Sequence, residues 1–155
     1  SAFVSEAAYV VGDVEIGENS GIWPGAVVRG DFASIKIGSN SDIEDNCVLH
    51  TGTPMEIGDN VIIGHGVVMH GKKIGSNTIV GMNATVLDGA EIGEYCIIAA
   101  GCVVTDGTEI PDRSFVVGVP AKVKREVTAQ QLARLDRHGQ YYSAETKRFY
   151  REKGL

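Results

Sequence analysis

The sequence predicts an all-β protein with an α-helical tail, in which a parallel β-helix is followed by a C-terminal helix. Two observations lead to this fold class. A large aliphatic residue recurs at every sixth position along most of the chain, and a small residue follows most of these aliphatic residues four positions later. An amphipathic helix repeats about every 3.6 residues and a strand every two, so a period of six requires short flat strands separated by tight corners.

The aliphatic series sets the extent of the β-helix. Its members are all aliphatic or Met, and they fall into four stretches that keep the period: Val4, Val10, Ile16, Ile22, Val28; Ile37, Ile43, Leu49; Ile57, Ile63, Met69; Ile74, Val80, Val86, Ile92, Ile98, Val104, Ile110 and Val116. Three strands make one triangular coil of about 18 residues, and parallel coils stack at roughly 4.8 Å. Residues 4–116 therefore predict about six coils with aliphatic side chains along the axis. We assign residues 1–120 to the β-helix.

This pattern is the hexapeptide repeat, and it resembles the repeat of left-handed parallel β-helices. The resemblance implies left-handed coils, an exception to the right-handed rule for parallel crossovers. A β-sandwich of short strands is the alternative fold. It would not keep an aliphatic residue at every sixth position through the whole series, so we favour the β-helix.

Residues 121–155 are expected to form a helical tail that packs on the β-helix. Thr128 and Gln131 match a capping box, which marks the start of a helix. The pair His138–Gly139 predicts a break or bend, and a second helical stretch is then expected over residues 144–153. A helix laid along a β-helix would shield one of its faces.

Composition restricts the classes of function. The net charge is −6, and residues 1–120 carry 16 Asp and Glu against 5 Lys and Arg. An acidic body argues against nucleic acid as a partner, and no apolar run is long enough to span a membrane. The three cysteines, Cys47, Cys96 and Cys102, occupy the small-residue positions of the repeat, where buried thiols are expected. They favour a reducing compartment, so we predict a cytoplasmic protein.

The six-residue spacing fails three times, after Val28, Leu49 and Met69. The residues that directly follow these failures are Arg29, His50 and His70. They are separated by 21 and 20 residues, which is one coil plus a short insertion in each case. The three side chains should therefore stack on one corner of the β-helix. One coil spacing would bring the two histidines close enough to share a metal ion.

His65 belongs to a different corner, where Glu44 and Asp45 lie one coil away from it. A single chain is therefore not expected to bring all three histidines to one ion. Three β-helices side by side would place the His50 and His70 corner of one chain against the His65 corner of the next, closed by cyclic symmetry. Three neutral imidazoles leave a fourth position open, which is the form of a catalytic zinc site.

Three segments carry a resemblance to a known family: Arg29-Gly30-Asp31, the run from Asp45 to His50, and the run from Gly64 to Gly71. They resemble the γ-class carbonic anhydrases and their close relatives. The resemblance implies a homotrimer that hydrates carbon dioxide reversibly to bicarbonate, by a metal-bound hydroxide at the trimer interface. Zinc is the expected metal, with iron(II) or cobalt(II) as alternatives.

The resemblance also assigns roles to individual residues. It implies that His50, His65 and His70 are the metal ligands, two from one subunit and one from the next. Arg29 and Asp31 are similar to the family's intersubunit ion pair, and Asp45 is expected to join them. We expect Glu44 to orient the hydroxide.

This chain departs from the family pattern at three places. Glu44 stands where the family often has Gln. Phe32 stands where the founding enzyme has an acidic residue, and the segment 51–56 is shorter than that enzyme's acidic loop, so no relay for the proton is evident. These departures leave two alternatives to an anhydrase: a metal-dependent thioesterase or other hydrolase, and a catalytically weak trimeric scaffold stapled by metal. An acyltransferase shares the repeat but lacks the three spaced histidines.

Overall fold

The computed structural model describes residues 2–154, and for residues 137–146 it describes the backbone only. The predicted fold class is confirmed: left-handed coils of a parallel β-helix are followed by a C-terminal helix. The coils have three faces. The first face contains β1 (Phe3–Val4), β3 (Gly21–Ile22), β5 (Asp42–Ile43), β8 (Ile62–Ile63), β11 (Ile79–Val80), β14 (Ile97–Ile98), β17 (Ser114–Val117) and β18 (Lys122–Glu126).

The second and third faces are joined by two long strands that run across the corner between them, β2 (Tyr9–Ile16) and β4 (Val27–Ile37). The second face continues with β6 (Val48–His50), β9 (Val68–Met69), β12 (Thr85–Val86) and β15 (Val103–Val104). The third face continues with β7 (Met55–Ile57), β10 (Lys73–Ile74), β13 (Glu91–Ile92) and β16 (Glu109–Ile110). The pairing of neighbouring coils is parallel throughout these two faces.

The core lies along the axis of the coils, where the aliphatic series points inward. Ile43, Ile63 and Leu49 are fully buried, because each is covered by the coils before and after it. Val4 differs from this prediction and is 46% exposed. It lies in β1, the first strand of the stack, so no earlier coil covers it.

The corners between the faces use left-handed backbone. At the corner from the third face to the first, Asn40, Asn60 and Asn77 stack with φ between 54° and 57°. Asparagine tolerates this conformation better than most residues, which favours it at a repeated tight corner. The corner from the second face to the third is regular at Gly89 and Gly107, which also have positive φ. In the second and third coils this corner carries insertions of three and two residues, and in the fourth coil it is one residue shorter than the repeat.

The tail differs from the prediction in two ways. Residues Lys122–Glu126 form β18, which pairs antiparallel with β17 and was not predicted. The expected break at His138–Gly139 is wrong, because one helix, α1, runs from Ala129 to Lys153. A glycine inside a helix costs only about 1 kcal/mol, and packing on both sides of it outweighs that cost. The capping box is confirmed at Thr128. Among the described residues, no helix combines the length and apolar character needed to cross a membrane.

Helix α1 returns along the first face to the N-terminal coils. Lys147 is buried there, and its Nζ lies 2.9 Å from Oδ1 of Asp42. Nε1 of Trp23 donates to the same oxygen at 3.0 Å, and the ring of Tyr150 packs edge-on against Trp23. A Cβ atom at Gly21 would lie 2.4 Å from Asp42 Oδ1, so only glycine leaves room for this cluster. The buried charges are paired, as such charges must be.

Candidate metal centre

The first part of the candidate site is a column of side chains on the corner between the second and third faces. Arg29 lies beside His50 in the pairing of β4 with β6, and the same register continues to β9 and His70. Nδ1 of His50 lies 3.2 Å from Nε2 of His70. The stacking predicted from the insertions is therefore confirmed.

Carboxylates flank this histidine pair on both sides. Oδ1 of Asp31 lies 3.2 Å from Nε2 of His50, and Oδ2 of Asp31 accepts a hydrogen bond from Arg29 at 2.5 Å. On the other side, Oδ1 of Asp88 lies 2.6 Å from Nδ1 of His70. The result is one continuous polar column. Each imidazole has one ring nitrogen near a carboxylate oxygen and the other near the second imidazole.

This column fits a shared metal ion. Two nitrogen ligands about 2.0–2.1 Å from a tetrahedral zinc ion lie about 3.3 Å apart. The facing nitrogens of His50 and His70, at 3.2 Å, have nearly this separation. Metal-binding histidines usually give their second ring nitrogen to a carboxylate, as both do here. The donor set and its surroundings therefore suit zinc or a similar transition metal.

The second part of the site is His65, on the corner between the first and second faces. Its Nδ1 lies 3.0 Å from Asp45 and its Nε2 lies 3.3 Å from Glu44, while its backbone N–H also donates to Glu44. The His65 side chain is about half exposed, at 51%. A metal ion at Nε2 would have the Glu44 carboxylate as a neighbour.

Glu44 is partly buried, and this changes its acidity. Desolvation raises the pKa of its carboxyl group, and the negative charges of Asp42 and Asp45 act in the same direction. The His65 ring and backbone N–H oppose them, but the net pKa is above the usual value. Glu44 thus holds a proton more readily than an exposed glutamate does.

The two corners remain apart within one chain. In the part of the chain that the structure describes, no three His, Cys, Asp or Glu side chains converge as ligands for one ion. Asp45 contacts His65, whereas Arg29 and Asp31 pair with each other on the other corner. The network of Asp45 with Arg29 and Asp31 is not formed within the chain, and it remains a prediction about neighbouring chains.

Sequence reasoning missed Asp88 and the position of Phe32. Asp88 follows His70 by 18 residues, the length of one coil, and this spacing is the signal that could have found it. Phe32 is 78% exposed, and its ring centroid lies 5.7 Å from that of His50. An apolar ring therefore stands beside the histidine pair.

Between the two corners, the second face presents apolar side chains to the outside. Val48 and Val68 are adjacent in the pairing of β6 with β9, and they are 39% and 43% exposed. The His65 corner borders this strip on one side and the His50 and His70 corner borders it on the other. Every candidate ligand therefore lies on an edge of the same apolar face.

Comparison with known proteins places the chain among the hexapeptide-repeat proteins. The family described as Bacterial transferase hexapeptide (six repeats) matches residues 71–106. A relative from Methanocaldococcus jannaschii, named Probable carbonic anhydrase, is 58% identical over 131 residues, covering 83% of this chain and 82% of that protein. Gamma carbonic anhydrase 1, mitochondrial, from Arabidopsis thaliana is 39% identical over 150 residues, covering 92% of this chain and 54% of the plant protein.

Other similar proteins carry different names. The carnitine operon protein CaiE of Citrobacter koseri is 39% identical over 133 residues, covering 84% of this chain and 68% of that protein. A crystal structure of a hexapeptide transferase family protein from Anaplasma phagocytophilum superimposes with a TM-score of 0.85 at 36% identity, covering 96% of this chain and 92% of the other. The chain belongs to the γ-class carbonic anhydrase-like family of hexapeptide-repeat proteins.

Proposed function

We propose that this protein is a metal-dependent enzyme of the carbonic anhydrase type, which hydrates carbon dioxide reversibly at sites shared between the subunits of a homotrimer. The observation that carries the proposal is the histidine pair. His50 and His70 face each other at 3.2 Å with a carboxylate behind each ring. Relatives named carbonic anhydrase support the choice of reaction.

The position of the third histidine supports the trimer. His50 and His70 lie on one edge of the second face, and His65 lies on the other. A neighbouring chain that covers the exposed Val48 and Val68 would bring its His65 corner to the histidine pair. Three identical contacts of this kind close a ring, so cyclic symmetry completes three sites at once.

The roles of the residues follow from their contacts. A bound zinc ion, or iron(II) or cobalt(II) in its place, supplies Lewis-acid activation of water near neutral pH. His50, His65 and His70 would hold the ion as neutral imidazoles. Asp31 orients His50, and its pairing with Arg29 fixes the carboxylate in place.

In this proposal, Glu44 accepts or holds a proton, and Phe32 forms part of the surroundings of the substrate. Glu44 has a raised pKa and an oxygen 3.3 Å from His65 Nε2, so this oxygen is suited to accept or hold a proton beside the ion. Phe32 adds an apolar wall next to His50, which suits a neutral substrate such as carbon dioxide.

The direct test is stopped-flow hydration of carbon dioxide by protein purified without oxygen and assayed for metal. We expect about one transition ion per chain, consistent with one histidine trio per chain, and hydration that depends on it. The variant His70→Ala should lose tight metal binding, because it removes half of the facing pair. Full metal occupancy in the wild type without any hydration would overturn the anhydrase assignment.

A mixing experiment tests the shared site separately. His50→Ala and His65→Ala are each expected to be inactive. When both variants are unfolded together and refolded, some interfaces pair the intact His50 and His70 corner of one variant with the intact His65 of the other. Metal binding should then return in part. Recovery no greater than that of either variant alone, with mixed trimers verified by mass spectrometry, would exclude ligands from two chains.

A metal-dependent thioesterase or other hydrolase is the second candidate function. Phe32 favours it, because an exposed aromatic ring beside the histidine pair suits an acyl chain better than it suits a proton relay. Rapid hydrolysis of coenzyme A thioesters by the metal-loaded protein, together with absent carbon dioxide hydration, would support it. A metal-loaded trimer with neither activity would leave only the scaffold role.

A further inference from the structure

Asp88 belongs to the polar column that contains His50 and His70. The family resemblance assigns no role to its carboxylate. Its Oδ1 lies 2.6 Å from Nδ1 of His70. Its backbone is fixed at the corner turn after β12, where its carbonyl oxygen accepts a hydrogen bond from Gly107 N–H at 2.8 Å. The carboxylate is therefore presented to His70 from a rigid coil rather than from a loose loop.

The structure distinguishes Asp88 from Asp31, the carboxylate behind His50. Asp31 divides its oxygens between His50 and the guanidinium of Arg29. Within the described part of the chain, Asp88 makes no ion pair with Lys or Arg, and His70 is its one charged or polar side-chain partner. The Asp88 side chain is 71% exposed, so its carboxylate is shared between the His70 ring and solvent rather than with a cation.

We propose that Asp88 is a positioning residue for His70: it holds the ring proton on Nδ1 and keeps Nε2 free of a proton and directed at the metal. This inference rests on the proposed metal site. A neutral imidazole carries one N–H, so a strong acceptor at Nδ1 fixes which nitrogen remains available as a ligand. The same contact restricts rotation of the ring, whose Nε2 faces His50.

The chain offers a matched control for this role. Asp106 follows Asp88 by 18 residues, and both are followed by a glycine with positive φ, Gly89 and Gly107. The two aspartates therefore occupy equivalent turns on successive coils. Asp106 is exposed and lies two coils beyond His70, one coil further than Asp88.

The test compares zinc affinity in the intact protein, measured by competition with a chromogenic chelator. Asp88→Ala should bind zinc 10- to 100-fold more weakly, the usual effect of losing such a partner of a metal-binding histidine. Asp88→Asn keeps an acceptor oxygen for the Nδ1 proton, so it should lose less than Asp88→Ala. Asp106→Ala should bind zinc like the wild type. Circular dichroism and thermal melting of each variant report whether the fold is retained.

A second readout tests the ring proton without metal. Nitrogen-15 NMR of the metal-free protein should show His70 protonated on Nδ1 in the wild type and in Asp106→Ala, and a mixture of tautomers in Asp88→Ala. Unchanged zinc affinity and an unchanged His70 tautomer in Asp88→Ala would overturn the inference while leaving the metal site standing. A wild type that binds no zinc would instead overturn the proposed function, and the NMR experiment would still decide the role of Asp88.

Discussion

The second and third faces of the β-helix have similar inward-facing residues. Their outward-facing residues differ, because they are mostly apolar on the second face and charged on the third. Both direct buried aliphatic side chains to the axis. Outward, the second face presents Val27, Val48, Val68, Thr85 and Val103. The third face presents Glu15, Lys36, Glu56, Lys73, Glu91 and Glu109. The inward positions build the coils, whereas the outward positions decide whether a face meets water or another protein surface.

The charged third face is suited to water. Lys36 lies 3.7 Å from Glu15, and Lys72 contacts Glu91 at 2.5 Å. Three of these side chains are more than half exposed, and Glu91 is partly exposed. Surface pairs of this kind add little stability, but they keep a face soluble and resist apolar contact. The comparison therefore supports the proposal that the second face is the contact surface between chains.

The largest expected effect comes from a charge on the second face. Val68→Asp would bury an unpaired carboxylate in each proposed interface, at a cost of roughly 3–5 kcal/mol per contact. We expect a folded monomer that has lost its metal, measured by light scattering after size exclusion and by metal analysis. Lys73→Asp on the third face is the control and should leave the oligomer intact. An unchanged oligomer in Val68→Asp would show that the second face is not the interface.

The second-largest expected effect is a loss of stability at the first face, which is covered by helix α1 of the same chain. Lys147→Met leaves the Asp42 carboxylate buried without its cation, and breaking a buried pair in this way costs about 3–5 kcal/mol. The free energy of unfolding, measured in urea, should fall by this amount. The exposed neighbour Arg148 supplies the control, because Arg148→Met should change it little. Adding Asp42→Asn to Lys147→Met should recover part of the loss, and a double variant no better than the single one would contradict this account.

A smaller effect is expected at the His65 edge of the second face. Because desolvation raises the pKa of Glu44 in the folded state, folding favours its protonated form, and stability is lost as pH rises through this pKa. In metal-free protein, Glu44→Gln should therefore melt at a higher temperature than wild type at neutral pH, and the difference should disappear below the usual glutamate pKa. With metal, the variant should keep the trimer but change the pH–rate profile. Identical melting curves at all pH values would refute this assignment.

The smallest effect is expected on the third face. The hydrogen bond from Lys72, together with its charge, lowers the pKa of Glu91. A lowered carboxyl pKa gives stability that is present at neutral pH and lost as pH falls through that pKa. NMR titration should show that Lys72→Gln returns the Glu91 pKa towards its ordinary value while the melting temperature barely moves. A large fall in melting temperature would mean that the third face is more than a solvated surface.

Much of the fold and the layout of the site could be predicted from the repeat. The coil length, about 18 residues plus short insertions, determines which residues stack, so it separated the corner of Arg29, His50 and His70 from that of His65. Asp88 could not be identified from the places where the repeat fails, because it lies in a regular turn. Its contact with His70 is evident only when one coil length is added to the position of the histidine.

Other features could not be read from a local pattern. Residues 122–126 are all exposed and have no six-residue period, so β18 exists because its backbone pairs with β17. The helix continues through Gly139 because Leu135 and Lys147 are buried on either side of it. Asp45 contacts His65 within the chain. Its expected pairing with Arg29 and Asp31 would involve a neighbouring chain, and no spacing within one chain tests it.

Helix α1 has a consequence for how this protein unfolds. Coils in a solenoid contact only their neighbours, so such stacks can fray from either end. Here β18 joins α1 to the last coil, and Lys147 and Tyr150 fasten the same helix to Asp42 and Trp23 near the first. The helix therefore couples distant coils. Neither end of the stack can unfold without weakening the contacts that the helix makes at the other end. We therefore expect one cooperative transition, with the histidine corner enclosed between the two fastened ends.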